Sequence, residues 1–218
     1  DAFSEANVRL LSTLAASMSV ALENARLFEE TRRLLEQTEQ RAAELAVINS
    51  VQAGLAAELD FQGIIDLVGD KLREVLQSGD VGIRLVDPAT ELVQYVYTYE
   101  HGRRLSLPPE HLGRAGLARY VVTSGQPLVA NREVHDRMQR LGSSVIAGTD
   151  ICKAIAAIPI AARGQVIGLI VVENFEREDA YSEADVRLLT TLANSLGVAL
   201  ENARLFAEIK RLLYQSEQ

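Results

Sequence analysis

The 218-residue sequence predicts an α+β domain: a central antiparallel sheet with helices on one face and a loop-built pocket on the other, flanked by long N- and C-terminal coiled-coil helices. Two observations carry most of this. One 40-residue block with helical apolar spacing occurs at both ends, and two pairs of strand-like runs joined by turn segments lie between them. The predicted order is helix, helix, hairpin, loop with short helices, short strand, hairpin, helix.

Residues 1–40 align without gaps to residues 179–218, with 29 of 40 positions identical. The offset of 178 residues is far longer than a solenoid repeat, so the duplication reads as tandem domains that end in the same helix. On that reading residues 1–44 are the closing and linker helix of an upstream domain, 45–206 a complete domain, and 207–218 the start of an outgoing linker helix. Both ends are then expected to be cuts inside a longer protein. Ser182 with Asp185 three residues on forms a capping-box-like start, and the first copy begins Ser4-Glu5-Ala6-Asn7. Leu192, Leu196, Ala199, Ala203 and Phe206 follow at helical spacing, matched by Leu14, Met18, Ala21, Ala25, Phe28 and Leu35 in the first copy.

No Gly or Pro occurs from Asp1 to Ala53. A single helix from Ser4 to Glu58 would run about 80 Å at the usual rise per residue. So long and narrowly apolar a helix needs a partner, and a homodimer joined by coiled coil or four-helix bundle supplies one. The eleven apolar positions just named are the expected dimerisation residues. The seam is interrupted at Thr31, Arg32, Thr38 and Arg41. These residues mark either a solvated spacer or a marginal seam able to shift register during signalling.

The middle of the chain opens with a helical pattern from Asp60-Phe61 to about Ser78-Gly79. Val81–Val86 and Leu92–Tyr99 read as strands joined through Asp87-Pro88-Ala89-Thr90, with Asp and Pro suited to a type I turn. An irregular loop is expected over 100–115, a short helix over 116–124, a short strand over 127–130, and mixed helix and loop over 132–150. Runs 155–160 and 166–172 form a second hairpin, in which Pro159 favours an edge or a bulge.

Composition excludes several functions. A formal charge of −8 disfavours nucleic acid as the partner. Cys152 is the only cysteine, which rules out an intramolecular disulfide and any zinc site of two thiolates, and points to a reducing, cytoplasmic setting. No apolar run reaches the ~20 residues needed to span a bilayer, so no membrane contact is expected. His101, His111 and His135 are too scattered to recommend a metal site.

The segment Ala157-Ile158-Pro159-Ile160, Gly164, Val166–Val172, Glu173-Asn174, Tyr181–Asp185 and the Leu-rich helix to Leu205 resembles the C-terminal half of a GAF domain. The likeness extends more loosely over 45–206, and the doubled closing helix is similar to tandem GAF arrangements in bacterial sensor kinases and nucleotide cyclases. The resemblance implies a sheet of about six strands, a small-molecule pocket opposite the helices, dimerisation through the terminal helices, and a covalently linked output domain. It names no ligand and no certain cofactor. Cyclic-nucleotide-binding relatives carry Asn-Lys and then Phe, three residues, Asp-Glu. Here stand Asn174-Phe175 and Tyr181 followed by Asp185-Val186, so the pattern fails. Bilin-binding relatives place His after the attachment cysteine, whereas Lys153 follows Cys152. Methionine sulfoxide reductases of this fold need several cysteines.

The expectation is therefore a non-enzymatic sensory domain that binds a small ligand and passes a signal through dimeric helices; a structural dimerisation spacer with a vestigial pocket is the alternative. From His101 to Arg140 seven arginines face three acids, which points to an anionic ligand or to a solvated surface. Arg84, inside an apolar strand, is the first choice for a ligand contact, although it could equally pair with an acid. Tyr95, Tyr97 and Tyr99 share one strand face at period two and either pack on helices or line the pocket. Cys152 is either a buried small side chain or a redox or covalent-ligand site. The candidate ligand-binding set is Arg84, Tyr97, Arg103, Arg104, Thr149, Asp150, Cys152 and Glu173.

Overall fold

The computed structural model describes residues 4–57, 60–76, 80–143, 146 and 149–216. Its contacts divide the chain into two units, Asp1–Ala46 and Val47–Gln218. In the first unit helix α1 (Glu5–Ala57) begins with Ser4 Oγ accepting the Asn7 N–H at 3.3 Å. No described residue of this unit is buried: Leu14, Met18, Ala21, Ala25, Phe28 and Leu35 all face solvent, Phe28 at 70% exposure.

The second unit begins with the last turns of α1, where Val51 and Leu55 enter the core. It continues through α2 (Phe61–Leu76), β1 (Val81–Asp87), β2 (Leu92–Glu100), β3 (Arg103–Arg104), β4 (Glu110–His111), α3 (Leu117–Ser124), β5 (Leu128–Ala130), α4 (Val134–Leu141), β6 (Ala154–Ala162), β7 (Gln165–Asn174) and α5 (Glu183–Ser216). The described strands form one seven-stranded antiparallel sheet in the order β3-β2-β1-β7-β6-β5, with β4 also on β2. Arg163 and Gly164 both take positive φ, which turns β6 into β7 in two residues. Beyond the expected pattern are the two-residue strands β3 and β4, formed in a stretch read as loop; α4 falls in the segment expected to mix helix and loop.

Strand alternation sorts the side chains into two cores. Val81 and Ile83 of β1, Ala154, Ala156, Ile158 and Ile160 of β6, and Ile170 and Val172 of β7 face α2, α5 and the end of α1. The intervening Val86, Ile155, Ala157, Leu169 and Val171 face α3, α4 and the connecting loops. Pro159 sits where the sequence leads one to expect it. β5 pairs with β6 only from Ala157 back to Ile155, so beyond that point β6 is an edge whose missing N–H costs nothing, and a bulge follows at Ile160/Ala161.

One register shift alters the reading of the tyrosines. Ile83 pairs with Tyr97 while Arg84 pairs with Tyr95, so Val96 is the extra residue of a β-bulge. A strict period of two places all three rings together; the bulge turns Tyr95 to the loop side and leaves Tyr97 and Tyr99 on the helix side, 5.1 Å apart between ring centroids.

Helix α5 opens with a reciprocal cap, Asp185 N–H to Ser182 Oγ at 3.2 Å and Ser182 N–H to Asp185 Oδ2 at 2.8 Å. Leu192, Leu196 and Ala203 are buried beneath the chain's own sheet, Leu196 at 0% exposure, and Ala199 packs against the same core. That corrects their assignment to a dimer seam: the stripe that the repeat shares with the first copy is consumed here inside the domain. The large apolar residues exposed on α5 are Val198, Phe206, Ile209, Leu212, Leu213 and Tyr214.

Candidate functional site

On the loop side of the sheet a cavity of about 470 Å³ opens between β1, β2, β7 and the segments carrying α3 and α4. Its floor is the sheet face bearing Gly82, Arg84, Tyr95, Thr98, Glu100, Ile155 and Glu173. Its walls come from residues 107–119 and 134–143, from Ile146, and from residues 149–152. Loops can build such a wall because flanking groups satisfy their backbone: Ser143 Oγ accepts the Leu117 N–H at 2.6 Å, and Arg119 donates to the carbonyls of Gly113 and Leu112 at 2.8 and 3.2 Å. Leu112, Leu117 and Val134 provide buried apolar surface.

Five of the eight sequence-predicted residues, Arg84, Thr149, Asp150, Cys152 and Glu173, line this cavity. The other three are not brought to it. Tyr97 points into the helix-side core and hydrogen-bonds Asp70. Arg104 pairs with Asp66 of α2 at 2.7 Å and lies over the Tyr97 ring at 5.3 Å, while Arg103 is exposed on β3. The bulge at Val96 is the reason for Tyr97; Arg104 pairs with Tyr99 and shares its helix-side face, and Arg103 lies on the outer edge strand β3.

The arginine excess of residues 101–140 does not gather in the cavity. Arg119 is held by Glu91 at 2.9 Å and Arg132 by Asp179. The lining carries Arg84 and Arg119 against Glu100, Glu110, Asp150 and Glu173, so its formal balance is acidic. The expected anionic ligand therefore lacks the basic cluster that motivated it.

Most of these charged groups already have partners. Tyr95 Oη donates to Glu110, and burial together with that carboxylate pushes the phenol well above its ordinary range. His101 Nε2 lies 3.0 Å from Asp150 Oδ2, and the Asp150 N–H donates to Glu100 Oε1 at 2.7 Å. Among the described residues, Glu100, His101 and Asp150 form the one set whose donor atoms, all within 4.8 Å, could hold a metal ion. Glu100 is next to His101 in the chain, but Asp150 is brought to it only by the fold; the His101 ring also packs on Phe175, 4.5 Å between centroids.

Glu173 is different. Burial pushes its carboxyl above the usual carboxylate range, opposed by Arg84 and reinforced by Glu100 and Asp80. Its hydrogen-bonding neighbour is the weakly donating Cys152 thiol. Burial first, and Glu173 second, push that thiol up to about 12, so it stays protonated and inert near neutral pH. Asn174, which stands in the cyclic-nucleotide pattern, instead caps a turn by accepting the N–H groups of Glu176 and Arg177 at 3.0 and 2.9 Å.

Sequence reasoning missed Gly82, Thr98 and Glu100. Gly82 had a readable signal, since a lone glycine inside an apolar strand often marks close approach of another group. Thr98 and Glu100 had none, because their facing depends on the bulge.

No curated protein sequence matches the chain closely enough to count as a relative. Among solved structures, the GAF domain of an Acinetobacter phosphoenolpyruvate-protein phosphotransferase is 19% identical, covers 75% of this chain and 95% of its own, and has a TM-score of 0.60. Free methionine-R-sulfoxide reductase from Neisseria meningitidis, solved with its substrate, is 21% identical over 75% and 92% of the two chains at a TM-score of 0.62. Residues 122 to 287 of a methyl-accepting chemotaxis protein are 19% identical over 72% and 98%, at 0.61. At these identities the structures establish a shared fold. The sequence profile of the GAF domain matches residues 58–201, well over half of the chain, and the chain therefore belongs to the GAF domain family.

Proposed function

We propose that this chain is a non-enzymatic sensory domain that binds a small molecule in the sheet-side cavity and relays its occupancy through the closing helix to an output domain. GAF domains are in general sensory, ligand-binding parts of signalling proteins. The single observation that carries the reading is the position of β6. Ile155 and the preceding Cys152 face the cavity, while Ala154, Ala156, Ile158 and Ile160 pack on α5, so one strand separates the ligand space from the helix that leaves the domain. A ligand that orders the cavity walls biases that strand and the helix packed beneath it. Support for a binding rather than catalytic role comes from the inert Cys152, the one thiol available for redox chemistry.

Homodimerisation through α1 belongs to the same proposal, supported by the unburied apolar residues Leu14, Met18, Phe28 and Leu35. Among the described residues no helix is long and apolar enough to cross a membrane. The test is thermal stabilisation across nucleotides, organic acids, amines and amino acids. A true ligand raises Tm in proportion to its occupancy of the folded state, and its binding alters hydrogen exchange in α5. If no compound shifts Tm, the domain is a dimerising spacer.

A further inference from the structure

The cavity floor holds two ionisable groups of opposite type, Arg84 and Glu173, neither of which makes an ion pair within 4.0 Å among the described residues. Arg84 is partly buried, and among the described residues no carboxylate lies within 4.0 Å of its guanidinium, which sits over the Tyr95 ring at 5.3 Å. Among the described residues Glu173 makes no ion pair within 4.0 Å either; the Cys152 thiol is its hydrogen-bonding neighbour, and Arg84, Glu100 and Asp80 act on it only at longer range. The remaining charges of the wall are engaged: Arg119 with Glu91, Glu110 with Tyr95, Asp150 with His101, and one oxygen of Glu100 with the Asp150 amide. A buried charge without a partner is costly, and a ligand bearing the complementary charge removes that cost.

The two groups stand on opposite sides of Gly82. Arg84 pairs across to Leu169 and Gly82 to Val171, so Arg84, Gly82 and the Glu173 end of β7 follow one another along a single sheet face. Nothing in the fold demands glycine there. A Cβ on Gly82 meets nothing closer than 3.9 Å, and its φ is not in the left-handed region. A glycine inside a strand costs stability, so its consequence here is the open floor it leaves between a cation and an anion. Thr98 Oγ1, buried beside this floor without a hydrogen-bond partner, adds a further unused polar atom.

We infer that the cavity takes a small zwitterion of the α-amino acid class, its carboxylate on Arg84, its ammonium group on Glu173 with the free oxygen of Glu100, and its main chain over Gly82. The planar guanidinium suits a carboxylate, and a pair of carboxylates suits an ammonium group. The apolar wall of Leu112, Leu117 and Val134 then receives the side chain, and a cavity of about 470 Å³ holds a ligand of that size. This rests on the sensory reading above and adds to it the chemical class of the ligand.

The experiment is differential scanning fluorimetry of the whole chain with each proteinogenic L-amino acid and with the decarboxylated and deaminated counterparts of any that bind; for L-leucine these are 3-methylbutylamine and 4-methylpentanoate. The expected result is a Tm increase of about 5 °C near saturation with at least one amino acid, and binding more than about 10-fold weaker for both counterparts. Arg84→Gln, Glu173→Gln and Gly82→Val should each abolish the shift, with circular dichroism confirming that each variant folds. Counterparts that bind as well as the amino acid would overturn the inference, as would folded variants that keep the full shift. A response only to nucleotides, dicarboxylates or simple amines overturns the zwitterion and leaves the sensory reading standing. No response to any compound overturns both.

Discussion

Tyr97 Oη donates a hydrogen bond to Asp70 Oδ1 at 2.7 Å, tying β2 to α2 beneath the sheet, and the Tyr97 ring lies so close to Gly69 that a methyl group there would overlap it. The ring therefore belongs to the helix-side core. Tyr97→Phe should lower stability by about 1 kcal/mol, the usual net worth of one hydrogen bond. Urea titration measures the loss. Any ligand-induced Tm shift should be unchanged, and its disappearance would return Tyr97 to the binding site.

The second prediction concerns how α5 sits on β6. A Cβ on Gly197 would overlap the carbonyl oxygen of Ala161, a backbone atom that has no rotamer to move out of the way. Gly197→Ala should therefore cost stability despite the better helix propensity of alanine, by about 1–3 kcal/mol. Since α5 is the proposed relay, the variant should also speed hydrogen exchange in β6. A neutral or stabilised variant would show that α5 packs differently.

Glu173 sets a pH dependence. Its carboxyl is raised in the fold by burial, so the folded state holds its proton more tightly than the unfolded state does. The stability associated with that proton is fully present below the ordinary glutamate range, near about pH 4, and is lost as pH rises through the raised folded value. Glu173→Gln carries no charge at any pH. Without ligand it should melt higher than the parent at pH 8, and the difference should vanish near pH 4. A constant difference at both values would mean that the glutamine acts through packing alone.

The exposed stripe of α1 makes a prediction about assembly. Phe28 at 70% exposure and Leu14 at 51% are costly to leave in water, whereas Leu196 lies wholly inside the second unit. Replacing Leu14 and Phe28 together with Asp should convert a dimer to a monomer by sedimentation equilibrium while leaving the melting of the second unit unchanged. Leu196→Asp should instead unfold that unit. A wild-type chain that sediments as a monomer at all concentrations would refute the proposed seam.

Sequence reading went far with the fold because the signals were local. The turn at Asp87-Pro88, the Arg163-Gly164 hairpin and the Ser182–Asp185 cap each depend on residues within a few positions of one another. It went less far with the site. Arg84 stands out in the sequence as a charge inside an apolar strand, Cys152 as the single cysteine, and Thr149 and Asp150 through the family resemblance; Glu100 and Gly82 were not found.

By itself the sequence determined an α+β domain behind a long helical lead, with an apolar stripe duplicated at both ends, because hydrophobic period and turn chemistry are written over short distances. Tertiary structure alone decided what each copy of that stripe does, since burial depends on whether a sheet lies beside the helix: Leu192 and Leu196 meet β6, while Leu14 and Phe28 are bare. It also decided which charges share the cavity. One inserted residue, Val96, reverses the facing of half a strand, and only the paired partner strand reveals where that reversal falls.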